Sequence, residues 1–459
     1  MDDTATPQPP DCIVVGGGPA GLIAALLLAR SGVRVTVLEK HADFLRDFRG
    51  DTVHPTTLTL LDELGLFPEF AELPQSRIEE ARLPVSDGST VRLADLRRLP
   101  LRHPYIAITP QWDLLNLLAA AGEREPNFEL RMRAEVTELI WEGGQVVGVS
   151  YRDGATGQQQ RLRALLTVAA DGRTSLARGA AQLPVREFPV GIDAWWFKVP
   201  TDETATERLG SRLMPRNANG DFFVVIPRRG YAQVARLIPK GADARLRAEG
   251  IDRVRAALAA AVPELAGCVD QLELDDVKVL DVRLNRLERW HRPGLLCIGD
   301  AAHAMSPIGG VGVNLAIQDG VAAARLLARP LLQGRLGNTH VAAVQRRRTP
   351  PTVFTQGLQR VMHRGFDAAL ARGRDFALPT AAARVLRAFP ALSLVPAWAI
   401  AVGLRPEHAP AVTRRRPQQR RGRRARHATG PSEPSAPSGA TGPSGAAGPS
   451  GATGASGGS

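Results

Sequence analysis

Two hydrophobic periods alternate along the chain, one suited to strands and one to helices. Cys12-Ile13-Val14-Val15 is an unbroken apolar run, the pattern of a strand buried on both faces. Leu22 to Arg30 carries apolar residues at helical spacing, Gly32 closes it, and Val33 to Glu39 reads as a second strand. Together they predict one βαβ unit of about 30 residues. Pro55 and Thr56 start a helix with Leu58, Leu61 and Leu64 on one face, and Gln111 to Ala121 predicts another. Residues 77–107 read as short strands with a turn at Asp87-Gly88. Phe128 to Val136, Thr137 to Trp141, Val146 to Arg152 and Gln159 to Ala170 read as a β-meander around Gly143-Gly144 and Asp153-Gly154. A second β-rich region covers residues 186–285. In it Phe222 to Ile226 and Tyr231 to Ile238 form a hairpin turning at Arg228-Arg229-Gly230, and Ile251 to Val262 is a helix ended by Pro263. Leu296 to Ile298 then returns to a buried strand. A Gly-rich loop follows, Val313 to Leu327 is helical, and helices continue to about residue 404.

The chemistry sits where these periods break. Gly16, Gly18 and Gly21 fit G-x-G-x-x-G between the first strand and helix, with Pro19 and Ala20 inside the motif. Glu39 ends the second strand, where a carboxylate reaches a ribose hydroxyl. The spacing alone is weak, but in strand–helix–strand context it points to a dinucleotide. The glycines let the backbone approach a pyrophosphate, whose charge then lies on the helix N-terminus. A second loop runs from Gly299-Asp300 through Pro307, Gly309, Gly310 and Gly312 to Val313 and Asn314. Strand, Gly-rich loop and helix again present N–H groups to something electron-rich. A third stretch, Asp171-Gly172 with Ser175 and Arg178, leaves a strand and enters a helix.

Composition narrows the reading further. A chain of 459 residues with 44% hydrophobic and 23% charged positions is ordinary for a globular protein of two or three domains. Cys12, Cys268 and Cys297 lie far apart, so neither a disulfide framework nor a metal site is expected, and reduced core thiols imply a cytoplasmic location. Asp2 and Asp3 stand where a secretory signal would be basic. Residues 401–459 hold nine arginines and two glutamates, so the tail supplies +7 of the net +12. Basicity is a tail property, and no nucleic-acid partner is expected. Phe389 to Leu404 is apolar but contains Pro390 and Pro396 and is shorter than the ~20 residues a bilayer span needs. Its expected role is docking on the folded body, with no integral membrane segment. The outline is a leader at 1–10, a nucleotide-binding part at 11–185 and a β-rich part at 186–285. The nucleotide fold is then completed at 286–408, and a low-complexity tail occupies 409–459.

These three motifs, in this order, resemble the class A FAD-dependent monooxygenases, the p-hydroxybenzoate hydroxylase-like aromatic hydroxylases. The resemblance spans residues 11 to 408, and Ala169 departs from it, standing where family members usually carry glycine. It implies an α/β fold with a Rossmann-like FAD-binding domain of the glutathione-reductase type, an inserted β-rich substrate domain and C-terminal helices. It also implies that Gly16, Gly18 and Gly21 hold the FAD pyrophosphate, with Pro19 and Ala20 beside it, and that Glu39, with neighbouring Lys40, holds the adenosine ribose. Arg49 and Gln111 would approach the phosphates and ribityl chain, and Val136 the adenine. Asp171-Gly172 would lie near the dinucleotide with Arg178 anchoring the turn, and Gly299-Asp300 would reach the ribityl hydroxyls. Pro307, Gly309 and Gly310 would frame the reacting face, and the amides through Gly312, Val313 and Asn314 would meet the N1–C2=O edge, where reduced flavin is negative.

The implied reaction takes NAD(P)H as a transient co-substrate and transfers oxygen through a flavin C4a-hydroperoxide to an aromatic or polycyclic molecule. A related FAD oxidoreductase without oxygen insertion is the alternative. Flavin halogenases fit less well, because Ala194 to Pro200 lacks W-x-W-x-I-P. A binding protein acting through its arginine-rich tail is a third reading. No second G-x-G-x-x-G is present for the nicotinamide, consistent with surface docking, and a monomer or homodimer is expected. Trp196, opposite in facing to Trp195 and Phe197, is a candidate substrate wall, with Phe222 and Tyr231 in the hairpin. Arg228 and Arg229 read as solvated turn residues, His54 as a helix-capping residue, and His303 as a structural hydrogen-bonding group.

Overall fold

The first apolar run is the middle of a six-stranded sheet in the computed structural model, which describes residues 9–45, 51–209, 215–228, 230–371 and 377–415. The sheet order is His291–Arg292, Leu295–Cys297, Leu166–Ala169, Cys12–Val15, Val35–Leu38, Phe128–Arg131. All neighbours are parallel except the antiparallel edge His291–Arg292. The four residues of Cys12–Val15 are all buried, as a strand covered on both faces must be. On one face lies helix Pro19–Arg30, buried at every position from Ala20 to Ala29. It is apolar all round because helix Gly312–Leu332 covers its other side. Gly320 permits the close approach of those two helices, since a Cβ there would press on the Ala20 carbonyl.

The expected β-meander is smaller than the alternation suggested. Ala134–Glu142, Gln145–Asp153 and Gln159–Arg163 form a three-stranded antiparallel sheet. Phe128–Arg131 and Leu166–Ala169, read as its ends, belong instead to the parallel sheet. Periodicity cannot assign a four-residue strand to one sheet or another.

A five-stranded antiparallel sheet holds Pro215–Ala218, Asp221–Arg228, Tyr231–Pro239, Ile192–Pro200 and Lys278–Leu280 in that order. One face, with Trp195, Phe197, Phe223 and Val234, packs with Val254 and Leu258 of helix Ile251–Ala261. The other presents Ala194, Trp196, Phe222 and Leu237. The chain enters and leaves this region through one antiparallel ribbon, Val185–Phe188 paired with Leu284–Leu287.

Helix Asn338–Ala371 continues through Pro350 and Pro351, which cannot donate to Arg346 and Arg347. Thr349 and Thr352 hydroxyls instead bond back to the Gln345 and Arg348 carbonyls. The apolar stretch after Phe389 is a short turn followed by helix Leu394–Ala401. There Ala397, Ala401 and Val402 pack with Ile78, Leu96, Ile106, Ile108 and Ile226. Among the described residues no single helix is long and apolar enough to cross a membrane. The tail begins later than position 409, because Ala409 and Thr413 are buried. Arg30 donates to the Thr413 carbonyl, and the Ala409 N–H donates to Glu63. Residues 1–8 of the leader and 416–459 of the tail lie outside the described residues.

Of the five histidines buried among the described residues, burial holds three, His54, His291 and His363, below the ordinary histidine pKa. The unfolded chain therefore binds more protons than the folded one once pH falls through about 6.5. Thermal unfolding followed from pH 8 to pH 5.5 should show a stable plateau above pH 7 and a falling midpoint below it. A flat profile across that window would contradict neutral burial of these side chains.

Candidate active site

The parallel strands end on a common edge, and a cavity of about 1520 Å³ opens there. Ligands of open α/β sheets bind outside the carboxyl ends of the strands. One end of the cavity is lined by Gly16, Gly18, Pro19, Ala20, Glu39, Lys40, Val136 and Asp171-Gly172. The other is walled by Trp196, Phe222, Val224 and Leu237 of the antiparallel sheet. Gln111, Asp300 and the loop from Pro307 to Val313 also line it. Pockets for one small molecule occupy roughly 300–1,000 Å³, so this space suits a dinucleotide with a second ligand.

The three fingerprint glycines do different jobs. A Cβ on Gly18 would meet nothing within 4 Å, so its backbone is open to a ligand. A Cβ on Gly21 would collide with the Gly16 carbonyl, so Gly21 lies behind the lining and sets helix-to-strand distance. Glu39 accepts from the Gly17 N–H at 2.8 Å and from the His41 N–H at 3.0 Å, so its carboxylate is fixed beside the loop.

Asp171 accepts from the Ala177 N–H at 3.2 Å, while its Oδ1 is buried without a partner. Burial pushes its pKa up. An unpaired buried carboxyl oxygen at a cavity wall fits a hydrogen-bonding ligand. Arg178, expected among the cofactor-binding residues as the anchor of the Asp171-Gly172 turn, anchors that turn from outside the lining. Its guanidinium donates to the Arg173 carbonyl at 2.6 Å and to the Ala301 carbonyl at 3.5 Å, holding one motif turn against the other. Ala169, in place of glycine, is a fully buried strand residue whose carbonyl accepts from Ile298 at 2.9 Å.

The Gly299-Asp300 turn is organised from behind. Asp319, on helix Gly312–Leu332, accepts from the Gly299 N–H at 3.0 Å, from His303 Nε2 at 2.6 Å and from Arg348 Nε at 2.8 Å. Burial opposes its ionisation, but His303 and Arg348 hold its pKa below the usual carboxylate value. Gly299 itself lies behind the lining, and Asp300 faces the cavity. The next loop is gripped from both sides. Gln359 bonds the Ser306 N–H and the Ser306 and Ile308 carbonyls, and His363 bonds the Ser306 hydroxyl at 2.8 Å. Opposite, the Gly310 carbonyl accepts from the Thr52 hydroxyl at 2.6 Å and faces His54 Nε2 at 3.0 Å. His54 Nδ1 lies 2.8 Å from the Ile400 carbonyl, so this residue ties the C-terminal helix to the loop by its ring and makes no side-chain cap. Asn314, whose backbone amide was expected at the flavin edge, is not in the cavity lining, and its side chain turns away. Its Oδ1 accepts from Thr56 and Thr57 at 2.8 and 2.7 Å.

Trp196 and Phe222 wall the cavity, whereas Tyr231 does not. Tyr231 lies at the far end of its strand with Lys198 5.2 Å above its ring. Arg228, read as solvated, is buried and donates to Asp51 at 2.5 Å. Asp51 lines the cavity and also accepts from the Gln111 backbone. Burial pushes its pKa up against the opposing effect of Arg228. Nothing in the local pattern marks this long-range pair. Gln233, Phe354, Phe366 and Ile400 of the lining were also missed, each sitting in a stretch that reads as generic core or helix. Arg49 and Arg229 lie outside the described residues.

Two substitutions separate ligand contact from scaffolding. Gly18→Val should leave the unfolding midpoint of the flavin-free protein nearly unchanged yet deplete bound dinucleotide, whereas Gly21→Ala should lower the flavin-free midpoint itself. Parallel thermal scans and flavin absorbance of purified protein check this, and equal loss of stability in both would refute it. Asp319→Asn removes the carboxylate that Arg348 donates to at 2.8 Å, leaving it the Glu407 carboxylate at 3.7 Å, and should destabilise by about 3–5 kcal/mol in denaturant titrations. A loss under about 1 kcal/mol would mean that the charge is not held as described.

The FAD binding domain family matches residues 10–353. The chain is 36% identical over 370 residues to the 6-methylpretetramide 4-monooxygenase of Streptomyces rimosus, covering 76% of this chain and 84% of that one. It is 31% identical to the 12-dehydrotetracycline 5-monooxygenase/anhydrotetracycline 6-monooxygenase of Streptomyces rimosus subsp. rimosus, covering 73% and 69%. The fold matches that of pqsL, a probable FAD-dependent monooxygenase from Pseudomonas aeruginosa. There the TM-score is 0.67 at 21% identity, over 79% of this chain and 99% of that one. The anhydrotetracycline hydroxylase OxyS from Streptomyces rimosus matches with a TM-score of 0.67 at 24% identity, over 85% and 75%. With the glycine loop, the paired acidic turns and the shared cavity in place, the chain belongs to the FAD-binding-domain flavoproteins, as an FAD-dependent monooxygenase of class A.

Proposed function

We propose that this enzyme uses NAD(P)H and dioxygen to hydroxylate, or epoxidise, a polycyclic aromatic small molecule. The observation that carries the reading is the single cavity, with glycine loops and acidic turns at one end and an apolar sheet face at the other. The names of the relatives, which act on pretetramide and tetracycline intermediates, support a fused-ring substrate. The five-stranded sheet region, entered and left through one ribbon, is then the inserted substrate domain of a glutathione-reductase-type FAD fold.

Bound FAD supplies two-electron redox chemistry and the activation of dioxygen. The chain supplies position. The Gly18 backbone accommodates the pyrophosphate at the N-terminus of helix Pro19–Arg30, Glu39 and Lys40 flank the ribose, and Val136 meets the adenine. Gln111 and Asp300 hold the ribityl side, and Asp171 offers its unpaired oxygen nearby. Pro307, Gly309 and Gly310 line the reacting face. The N-terminus of helix Gly312–Leu332 places positive potential where the reduced ring system carries charge. Trp196, Phe222, Leu237 and Phe366 hold an apolar substrate and exclude water, while Gln233 gives the wall a polar point.

A panel of fused-ring phenols incubated with enzyme, NAD(P)H and ¹⁸O₂ tests this. Substrate should accelerate NAD(P)H oxidation, and one labelled oxygen should enter the product. Product without label would establish an FAD oxidoreductase that does not insert oxygen.

A further inference from the structure

The ribbon joining the two sheets carries a feature that the flavin cavity does not use. Arg186 and Arg286 stand directly opposite each other in its register, an arrangement in which like charges repel. Phe188 follows on the same face, two residues from Arg186. The guanidinium carbons of Arg186, Arg286 and Arg360 lie 5.5, 5.5 and 5.1 Å from the centroid of the Phe188 ring. Each is within cation–π range, yet one ring cannot offset three cations. Among the described residues, no carboxylate forms a salt bridge with any of the three. Glu187 points to the opposite face, where it accepts from the Asn285 amide at 2.9 Å. Arg286 donates to Gln356 at 2.9 Å, and its pKa is pulled down by burial and by the neighbouring Arg186 and Arg360. Arg186 and Arg360 are exposed.

Three converging guanidiniums without an acid are a site for a multiply charged oxyanion, because planar forks match phosphate oxygens. The location narrows the ligand. Phe188 packs with Met305 and Val311, and both of those residues line the flavin cavity. Gln356, the partner of Arg286, also bonds the Asn285 and Ala304 carbonyls at the base of the same loop. The basic patch is thus one side-chain layer outside the loop that frames the cavity. We propose that Arg186, Arg286 and Arg360 bind a phosphate group of the nicotinamide co-substrate, anchoring it while its ring reaches the flavin. This rests on the reading that NAD(P)H is the reductant.

Arg186→Gln/Arg360→Gln is the informative variant, since both side chains are exposed and Arg286 keeps its bond to Gln356. In anaerobic stopped-flow reduction of the FAD-loaded enzyme, its half-saturating NAD(P)H concentration should rise about tenfold with the limiting rate nearly kept. The ionic-strength dependence of that concentration should flatten. Reduction by the phosphate-free N-benzyl-1,4-dihydronicotinamide should be unchanged. Equilibrium titration with 2′,5′-ADP and with 5′-ADP separates the two phosphate sources. Preference for the first assigns the 2′-phosphate, and equal binding assigns the pyrophosphate. An unchanged half-saturating concentration, or an equal loss with the phosphate-free reductant, overturns the site. If neither nicotinamide reduces the wild-type flavin, the reductant reading fails by itself. The ADP titrations of wild type and variant then still decide whether the patch binds phosphate, and equal binding by both overturns it.

Discussion

The position of the cavity-facing turn at Gly299-Asp300 depends on one buried carboxylate. Asp319 is fully buried, and so is Arg348, with His303 scarcely more exposed. Removing such charges from water costs several kcal/mol each, roughly, so they persist only where donors surround them. Here three donors come from two segments: the Gly299 amide and the His303 ring from the turn, and the Arg348 guanidinium from helix Asn338–Ala371. Arg348 continues the network toward buried Glu407, 3.7 Å away, which also takes a two-point contact from Arg347. Satisfying one acid therefore brings together the turn, helix Gly312–Leu332, helix Asn338–Ala371 and the C-terminal segment. The geometry offered to a cofactor is a by-product of electrostatic necessity deeper in the protein.

The loop after that turn has to leave backbone groups free for a ligand without becoming loose. Its outer side is fixed by long polar side chains from helix Asn338–Ala371, chiefly Gln356 and Gln359. Its inner side is fixed by Thr52 and His54 at Gly310. A neutral imidazole has one N–H, so His54 can donate to only one of its two facing carbonyls, Gly310 or Ile400. Burial favours that neutral form. The residue thus couples the loop and the C-terminal helix more weakly than its two short distances suggest.

Much of this was legible in the chain wherever chemistry is local. Gly16 to Gly21 declare themselves by spacing, and alternation through Trp195, Trp196 and Phe197 gave the correct facing of each. Reading failed where function is delegated across sequence. The side chain of Asn314 follows the glycines but serves the scaffold, because Thr56 and Thr57, far upstream, claim its oxygen. Arg228 looks like a solvated turn residue until Asp51, 177 positions away, buries it. Tyr231 shares a strand with Leu237, yet lies too far along it to reach the cavity. Hydrophobic period gives the face of a strand but not which part of that face meets the ligand.

The same delegation explains how one cavity comes to be lined by two sheets. A parallel sheet offers its strand ends, and an antiparallel sheet offers a face. Joining them through a single ribbon sets the face of one over the edge of the other. The acidic turns and glycine loops then need no residues from the antiparallel sheet, and that sheet needs none of the glycine motifs. Asp51 and Arg228 are the exception, because this largely buried pair crosses from the cavity loop beside Gln111 to the end of the antiparallel sheet. A charge pair formed only when both parts are correctly placed penalises any other arrangement, since either ion alone would be buried without its partner.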